Sequence, residues 1–327
     1  MVSLRQSIER QWYSKPHWLF LLAPLWFLFI VVSFFRRHWL RQRAHKIAVP
    51  VIIVGNIAVG GTGKTPVIIA LCKELRIAGY KPGVIARGYG VNLTQSRIVP
   101  EDARADEYGD EPVLVSKTTG CPVAVGPDRI ASTHLLCEQA RCNVILSDDG
   151  LQHYRLHRDV EVVIIDAKRL LGNGWRLPIG PLREGRSRLR GVDFILYNGQ
   201  PQHSLIDTRG DFFLLQPAYW RNVQSGQTKA LEELALDDAV AIAGIGNPQR
   251  FFDTLLRLGF TGSGHAYADH YQFTESDMRI LKSKRVLMTE KDAVKCQDFA
   301  SADWWALVVE AQLPATFTQA LLQTIPK

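Results

Sequence analysis

An α/β fold with a mainly parallel sheet, a smaller C-terminal α/β domain and an N-terminal membrane-associated helix follows from three features of the sequence. Short apolar runs alternate with helical patterns from Val49 onward, one long apolar run stands alone near the N-terminus, and the texture of the chain changes near residue 211. At 327 residues there is room for about two domains of ~150 residues. With 46% hydrophobic and 22% charged residues, the chain is neither disordered nor a polytopic membrane protein. The expected units are 1–46 (anchor with basic flank), 47–210 (core) and 211–327 (linker and smaller α/β domain).

The first unit holds the charge. Of 39 Lys plus Arg and 32 Asp plus Glu, residues 1–46 contain Arg5, Arg10, Lys15, Arg36, Arg37, Arg41, Arg43 and Lys46 against Glu9 alone, which accounts for the whole net +7. The remainder of the chain is neutral, which weighs against nucleic acid as a partner. The same segment contains the apolar run Trp18 to Phe35, broken only by Pro24 and Ser33. As a helix it would span roughly 27 Å, just short of a hydrocarbon core of about 30 Å. Trp18 and Trp39 suit interfacial positions, and the basic residues after the run suit the cytoplasmic side. A spanning anchor is the leading expectation, with a helix lying in the interface as the alternative. A late start and a basic rather than small-residue end argue against a cleaved signal peptide. Five cysteines without CxxC spacing fit a reducing compartment, with neither a disulfide framework nor a zinc site.

In the core, Val49 to Val54 predicts a strand, a Gly-rich turn follows, and Pro66 to Ala78 predicts a helix that Gly79 ends. Further strands are expected at Gly83 to Ala86, Pro122 to Val125, Val144 to Leu146, Val160 to Ile165 and Val192 to Tyr197. Each is an apolar run, interrupted only by Glu161 and Asp193, as a parallel sheet covered on both faces requires. Phe212 to Trp220 reads as a hairpin or linker. Ala239 to Ile245, Arg285 to Met288 and Trp305 to Val309 read as strands of the second α/β unit.

The strongest local signal is Gly60-Gly61-Thr62-Gly63-Lys64-Thr65 between a predicted strand and a predicted helix. Backbone N–H groups of such a loop, with Ala58 and Val59 leading into it, wrap phosphates. Lys64 adds a point charge and the Thr65 hydroxyl suits Mg²⁺. Ala58 stands where the strict pattern has Gly. The loop needs a carboxylate at a neighbouring strand end, and Asp148-Asp149 after Asn143 to Ser147 is the richer candidate beside Asp166. Which of Asp148 and Asp149 meets the metal stays open. From Lys168 to Arg190, seven basic residues face Glu184 alone, interleaved with Gly and Pro, as in a loop that receives an anionic partner.

These motifs, with Gly55-Asn56, Arg87-Gly88-Tyr89-Gly90, Gly109-Asp110-Glu111-Pro112, Gly150-Leu151-Gln152-His153, Leu177 to Glu184, Asp269-His270-Tyr271 and Thr289 to Ala293, closely resemble the tetraacyldisaccharide 4'-kinase (lipid A 4'-kinase) family. The resemblance implies a P-loop kinase core that moves the γ-phosphate of ATP, with Mg²⁺, to the 4' hydroxyl of a tetraacyl disaccharide 1-phosphate. It implies work at the cytoplasmic face of the bacterial inner membrane. It assigns Lys64 and the loop from Ala58 to Thr65 to the nucleotide, and Thr65, Asp148 and Asp149 to the metal. Arg183 and Arg129 would neutralise phosphate, Glu184 and Gln152 would orient neighbours, and Arg87 and Tyr89 would meet substrate. An Asp–His dyad of the family maps onto Asp110 and His270, although a lone histidine in such a place is ordinarily surface or helix entry. The rival from another class is a membrane-targeted P-loop GTPase or ATPase switch. A guanine-reading [NT]KxD element is missing, since Thr289-Glu290-Lys291-Asp292 has its lysine one place late.

Overall fold

The computed structural model describes residues 4–15, 18–200 and 205–326; the side chain of Arg5 lies outside the described residues. Helices α1 (Leu4–Trp12) and α2 (Ala23–Gln42) precede the core. The core comprises β1 (Val51–Gly55), α3 (Lys64–Ile77), β2 (Pro82–Ala86), β3 (Arg97–Ile98), α4 (Ala105–Tyr108), α5 (Asp110–Thr119), β4 (Val123–Val125), α6 (Arg129–Glu138), β5 (Val144–Asp148), β6 (Val160–Asp166) and β7 (Phe194–Asn198). There follow β8 (Asp211–Asn222), β9 (Thr228–Lys229), β10 (Val240–Ala243), α7 (Pro248–Arg257), β11 (Ser263–Ala266), α8 (Glu275–Met278), β12 (Val286–Thr289), α9 (Glu290–Cys296), β13 (Trp304–Gln312) and α10 (Ala315–Thr324).

One sheet runs through both units in the order β11-β10-β12-β13-β8-β7-β6-β1-β5-β2-β4-β3, with β9 beside β8. Strands β1, β2, β5 and β6 are buried along their whole length, which explains their largely apolar composition; Glu161 interrupts β6 and is compensated by Arg158 and Arg188. Alternate residues of β1 feed two cores. Ile52 and Val54 pack with Val67, Ile68 and Leu71 of α3, while Val51 and Ile53 pack with Ile57, Leu151 and Leu156 on the other face.

From β1 the chain turns first toward β2 and reaches β6, on the other side of β1, only later. Such a reversal opens a crevice beyond the carboxyl ends of the strands. The C-terminal unit repeats the device, because β10 pairs with β11 on one side and β12 on the other, all parallel. The two crevices face each other: a Cβ added at Gly246, just after β10, would lie 3.6 Å from the Gly61 nitrogen.

Where the sequence suggests a hairpin or linker at 212–220, the chain runs as one long strand. The first residues of β8 pair parallel with β7 and the rest pair antiparallel with β13, so a single strand joins the units. Phe213, in the part paired with β7, and Trp220, in the part paired with β13, are fully buried.

The N-terminal helices lie on the core. The Trp12 indole donates to the Pro178 carbonyl at 3.0 Å, and the Asn173 N–H donates to the Trp12 carbonyl at 2.7 Å. Phe20 and Trp26 stack edge-on to Trp175. Beyond α2, the His45 N–H donates to the Arg155 carbonyl at 2.7 Å.

Phe213→Ala empties a buried position at the β7–β8 pairing and should lower the unfolding free energy by about 3–5 kcal/mol. Urea denaturation in detergent reads this directly, and an unchanged midpoint would mean that the junction carries no stability.

Candidate active site

The loop after β1 is built by a glycine and a partner segment. Gly63 caps α3 at φ 91°, and a Cβ there would lie 2.4 Å from Asn198 Nδ2, so conformation and space both require glycine. The Asn198 amide donates to the Thr62 carbonyl at 2.8 Å and accepts from Arg250 at 2.7 Å. On the other side the loop is zipped to residues 181–183: the Val59 N–H donates to the Pro181 carbonyl at 2.9 Å and the Arg183 N–H to the Ile57 carbonyl at 2.7 Å, with Ala58 bridging Leu182. Two motifs more than a hundred residues apart thus form one piece of backbone. Thr65 is buried in the first turn of α3.

Around this loop a cleft of about 900 Å³ gathers residues from both units. Gly60, Gly61 and Lys64 form its floor, Asp148, Asp149 and Gln152 come from the end of β5, and Arg183 and Glu184 from the zipped segment. Arg87 and Tyr89 follow β2, Asp110 and Glu111 open α5, and Arg129 opens α6. Asp269, His270 and Lys291 face them from the C-terminal unit, and Phe29, Val32, Arg36 and Arg37 of α2 close one side. Every non-glycine polar residue that the sequence singled out for catalysis, metal or substrate lies here or, like Thr65, in the adjoining helix turn.

The charges are arranged in pairs. Lys64 Nζ lies 3.7 Å from Asp149 Oδ1, and Arg183 Nη1 lies 2.8 Å from Asp149 Oδ2. Burial raises the Asp149 pKa, but Lys64 and Arg183 outweigh it and hold the carboxyl at about 2. Asp148 has no such partner. Burial, reinforced by the negative charge of Glu111, pushes it up to about 7, and its Oδ1 finds no hydrogen bond. Arg129 is buried beneath it, donating to the Ile85 carbonyl at 2.9 Å and to Ser147 Oγ at 3.1 Å. Burial lowers the Arg129 pKa.

Glu184 is held on all sides. Gln152 Nε2 donates to it at 2.9 Å, the Tyr154 hydroxyl donates to it, and Arg188 and Arg37 approach to 3.6 and 3.7 Å. Gln152 Oε1 in turn accepts from Arg183 at 3.3 Å. The basic stretch 168–190 is therefore divided: Arg183 and Arg176 face the cleft, while Arg188 is buried against Glu161 and Glu184.

Across the cleft, His270 Nδ1 and Asp110 Oδ2 are 2.8 Å apart. His270 is held at φ 59°, with its N–H donating to the Gly244 carbonyl at 3.1 Å, and its ring lies 4.7 Å from that of Tyr89. The hydrogen bond to Asp110 raises the His270 pKa above its usual value against the opposing effect of burial. Burial works to raise Asp110, but His270 and Lys291 bring it below the ordinary carboxylate range.

Sequence reasoning gave no role to Asn198, Glu111 or Lys291. Asn198 is a strand-end amide with no motif around it. Glu111 and Lys291 sit inside quoted motifs, and only the contact between them reveals their pairing.

The residues fit a nucleotide and its cation. The orphaned buried Oδ1 of Asp148, the orphaned Oγ1 of Thr62 and the open side of Gly61, where a Cβ would meet nothing within 4 Å, are the polar atoms and space that a phosphate chain with a divalent ion would fill. Among the described residues no cluster of three His, Cys, Asp or Glu forms a protein-only metal site. Magnesium held between one or two carboxylates and phosphate oxygens requires none.

Comparison with known proteins agrees with this geometry. The family model described as tetraacyldisaccharide-1-P 4'-kinase matches residues 18–326. The tetraacyldisaccharide 4'-kinase of Methylobacillus flagellatus is 46% identical over 330 residues, covering 99% of this chain and 97% of that protein. That of Shewanella loihica is 45% identical, covering 99% and 98%. The crystal structure of "apo" form LpxK from Aquifex aeolicus in complex with ATP superposes with a TM-score of 0.79 at 26% identity, over 95% of this chain and all of that one. A P-loop zipped to its arginine segment, an acid–histidine pair opposite it and this extent of similarity have one reading: the chain belongs to the tetraacyldisaccharide-1-P 4'-kinase family.

Proposed function

We propose that this cleft transfers the γ-phosphate of ATP to the 4' hydroxyl of a tetraacyl disaccharide 1-phosphate, with the Asp110–His270 pair as proton acceptor. The observation that carries the residue assignment is the 2.8 Å contact of that pair, supplied by two different units and facing the phosphate loop. In the transfer the sugar oxygen bonds to the γ-phosphorus, the bond to the β–γ bridging oxygen breaks, ADP leaves, and the hydroxyl proton passes to the pair. Lys64 and the loop amides up to Thr65 hold the phosphates, apart from that of Val59, which the sequence assigns to the nucleotide but whose N–H is taken by the Pro181 carbonyl. Thr65, Asp148 and Asp149 would hold Mg²⁺, which when bound supplies charge neutralisation at the phosphate oxygens. Arg183, fixed by Asp149 and Gln152, meets the transferring group, and Glu184 keeps that assembly in register. Arg87, Tyr89 and Arg129 line the route to the substrate headgroup. We take residues 47–210 and 211–327 as the two catalytic units and residues 1–46 as the membrane segment.

The acceptor is an amphiphile, and α2 supplies the apolar side of the same cleft. Leu21, Leu25, Leu28, Val32, Phe35 and Trp39 recur at helical spacing and are exposed. The segment Trp18–Gln42 has the length and hydropathy to cross a membrane, yet both of its flanks are bonded to one body, at Pro178 and Asn173 before it and at Arg155 after it. A single helix with both ends on one side does not cross the bilayer. We therefore favour the interfacial arrangement over the spanning one, with the stripe immersed in the cytoplasmic face of the inner membrane and acyl chains entering beside Phe29 and Val32.

Enzyme with ATP, Mg²⁺ and tetraacyl disaccharide 1-phosphate in detergent should yield a bis-phosphorylated lipid, and Lys64→Ala should not. Nucleotide turnover without a lipid product would sink the reading. Asp110→Asn and His270→Ala should each cost about 10²–10⁴-fold in kcat, with the double variant little worse than either single one; multiplicative losses would mean separate roles. The neutral imidazole is the working form and its pKa is raised, so activity should fall on the acid side with a midpoint above the usual histidine value of about 6.5. In Asp110→Asn the raising partner is gone, and the midpoint of the residual activity should move down. In sealed vesicles, tags at the two termini should react with an impermeant reagent from the same side, whereas opposite sides would restore the spanning anchor.

A further inference from the structure

The turn Thr289–Asp292, between β12 and α9, has no part in the scheme above. Asp292 is fully buried: its Oδ2 accepts the Thr289 hydroxyl at 2.7 Å and the Gly244 N–H at 3.1 Å, and Lys295 Nζ lies 2.6 Å from its Oδ1. Gly244 is the residue whose carbonyl pins the His270 N–H. The turn is thus anchored to the backbone that holds His270 in a left-handed conformation, which costs a non-glycine residue about 1–3 kcal/mol unless its surroundings enforce it. The next side chain points the other way. Lys291 lines the cleft and forms an ion pair with Glu111, the residue after Asp110, and the Glu111 N–H donates to Asp110 Oδ1 at 2.8 Å. One turn therefore touches the supports of both members of the pair.

We propose that Lys291 is a positioning residue for phosphoryl transfer: its ion pair with Glu111 docks the first turn of α5 onto the C-terminal unit and holds Asp110 at hydrogen-bonding distance from His270. The inference rests on the kinase reading. A hydrogen bond between two units joined by a shared strand needs a second tether nearby to fix its length, and the Lys291–Glu111 pair lies one residue from it. Electrostatics runs the same way. The groups facing Asp110 are His270, Lys291 and Lys295, with Glu111 adjacent and Asp269 beyond His270. Removing Lys291 deletes a cation that favours the deprotonated pair and leaves the Glu111 charge uncompensated, and both changes raise its proton affinity.

The test uses the full-length enzyme in detergent with ATP, Mg²⁺ and the lipid acceptor, comparing wild type, Lys291→Gln and Lys291→Arg. Lys291→Gln should lower kcat by about 10–100-fold, move the acid limb of the pH profile up by about one unit, and leave ATP affinity, measured by calorimetry, within about twofold. Lys291→Arg should return the limb toward its wild-type position, which a merely structural loss would not predict. Wild-type kcat and limb in Lys291→Gln would overturn the proposal. So would a raised KM or weakened ATP binding at unchanged kcat, which would make Lys291 a phosphate ligand. Should Lys291→Gln not melt cooperatively, Lys291→Arg decides alone: an unmoved limb with kcat within about threefold of wild type supports positioning by charge, and a limb moved upward rejects it. Failure of the wild type to phosphorylate the lipid would remove the kinase reading itself, a distinct result.

Discussion

Four of the carboxylates that line the cleft, Asp110, Glu111, Asp148 and Asp149, form a chain of like charges acting on one another, and their repulsion is the constraint that the rest of the site answers. Two like charges 4 Å apart repel by about 4 kcal/mol at an effective dielectric of 20. Asp110, Glu111, Asp148 and Asp149 must therefore be compensated or protonated. Three are compensated by named partners: Asp110 by His270, Glu111 by Lys291, and Asp149 by Lys64 and Arg183. Asp148 is left without a contacting cation, and burial, with the charges of Glu111 and Asp149 added, pushes its carboxyl pKa up to about 7. Positive charge delivered with the nucleotide would complete the set, since a nearby cation favours the ionised carboxylate.

Compensation by contact ties distant segments together. Asp149 needs Arg183, Arg183 needs Gln152, and Gln152 needs Glu184, which is shared with Tyr154, Arg188 and Arg37 of α2. The zipper between the phosphate loop and residues 181–183 gives this chain a rigid backbone. The N-terminal helix is consequently part of the wall of the site. If α2 docks on a membrane as proposed, docking and headgroup binding would act on one connected body.

Much of this was legible in the sequence where local chemistry dictates local structure. The buried parallel strands are legible as largely apolar runs, interrupted in β6 by Glu161, and the phosphate loop as glycines between strand and helix. Asp110 and His270 were legible only through family resemblance, because nothing within ten residues of either shows that they meet at a separation of 160 positions. Long-range pairing leaves no local periodicity. The same reason hid Asn198 and the Lys291–Glu111 pair. Strand β8 was misread because its two halves serve different partners, which broke the alternation expected of one strand. The short β3 and β11 lacked apolar runs; both are edge strands, and β11 is exposed throughout.

The net charge of +7 divides along the same lines. It resides in residues 1–46, yet those residues do not simply face lipid. Arg37 and Arg41 stack over the Tyr154 ring at 5.3 and 5.1 Å, and Arg36 and Arg37 line the cleft. A cation whose guanidinium sits on an aromatic face beside Glu184 is oriented toward the body and partly neutralised by it, so its attraction for an anionic bilayer surface is reduced. What remains is a basic rim between the apolar stripe of α2 and the phosphate loop. In the proposed reaction, an acylated sugar phosphate leaving a bilayer along α2 would meet that rim before it reached His270, its anionic group drawn to the basic side chains while its acyl chains stayed in the membrane. The charge that looked like a general membrane magnet is better understood as the threshold of the active site.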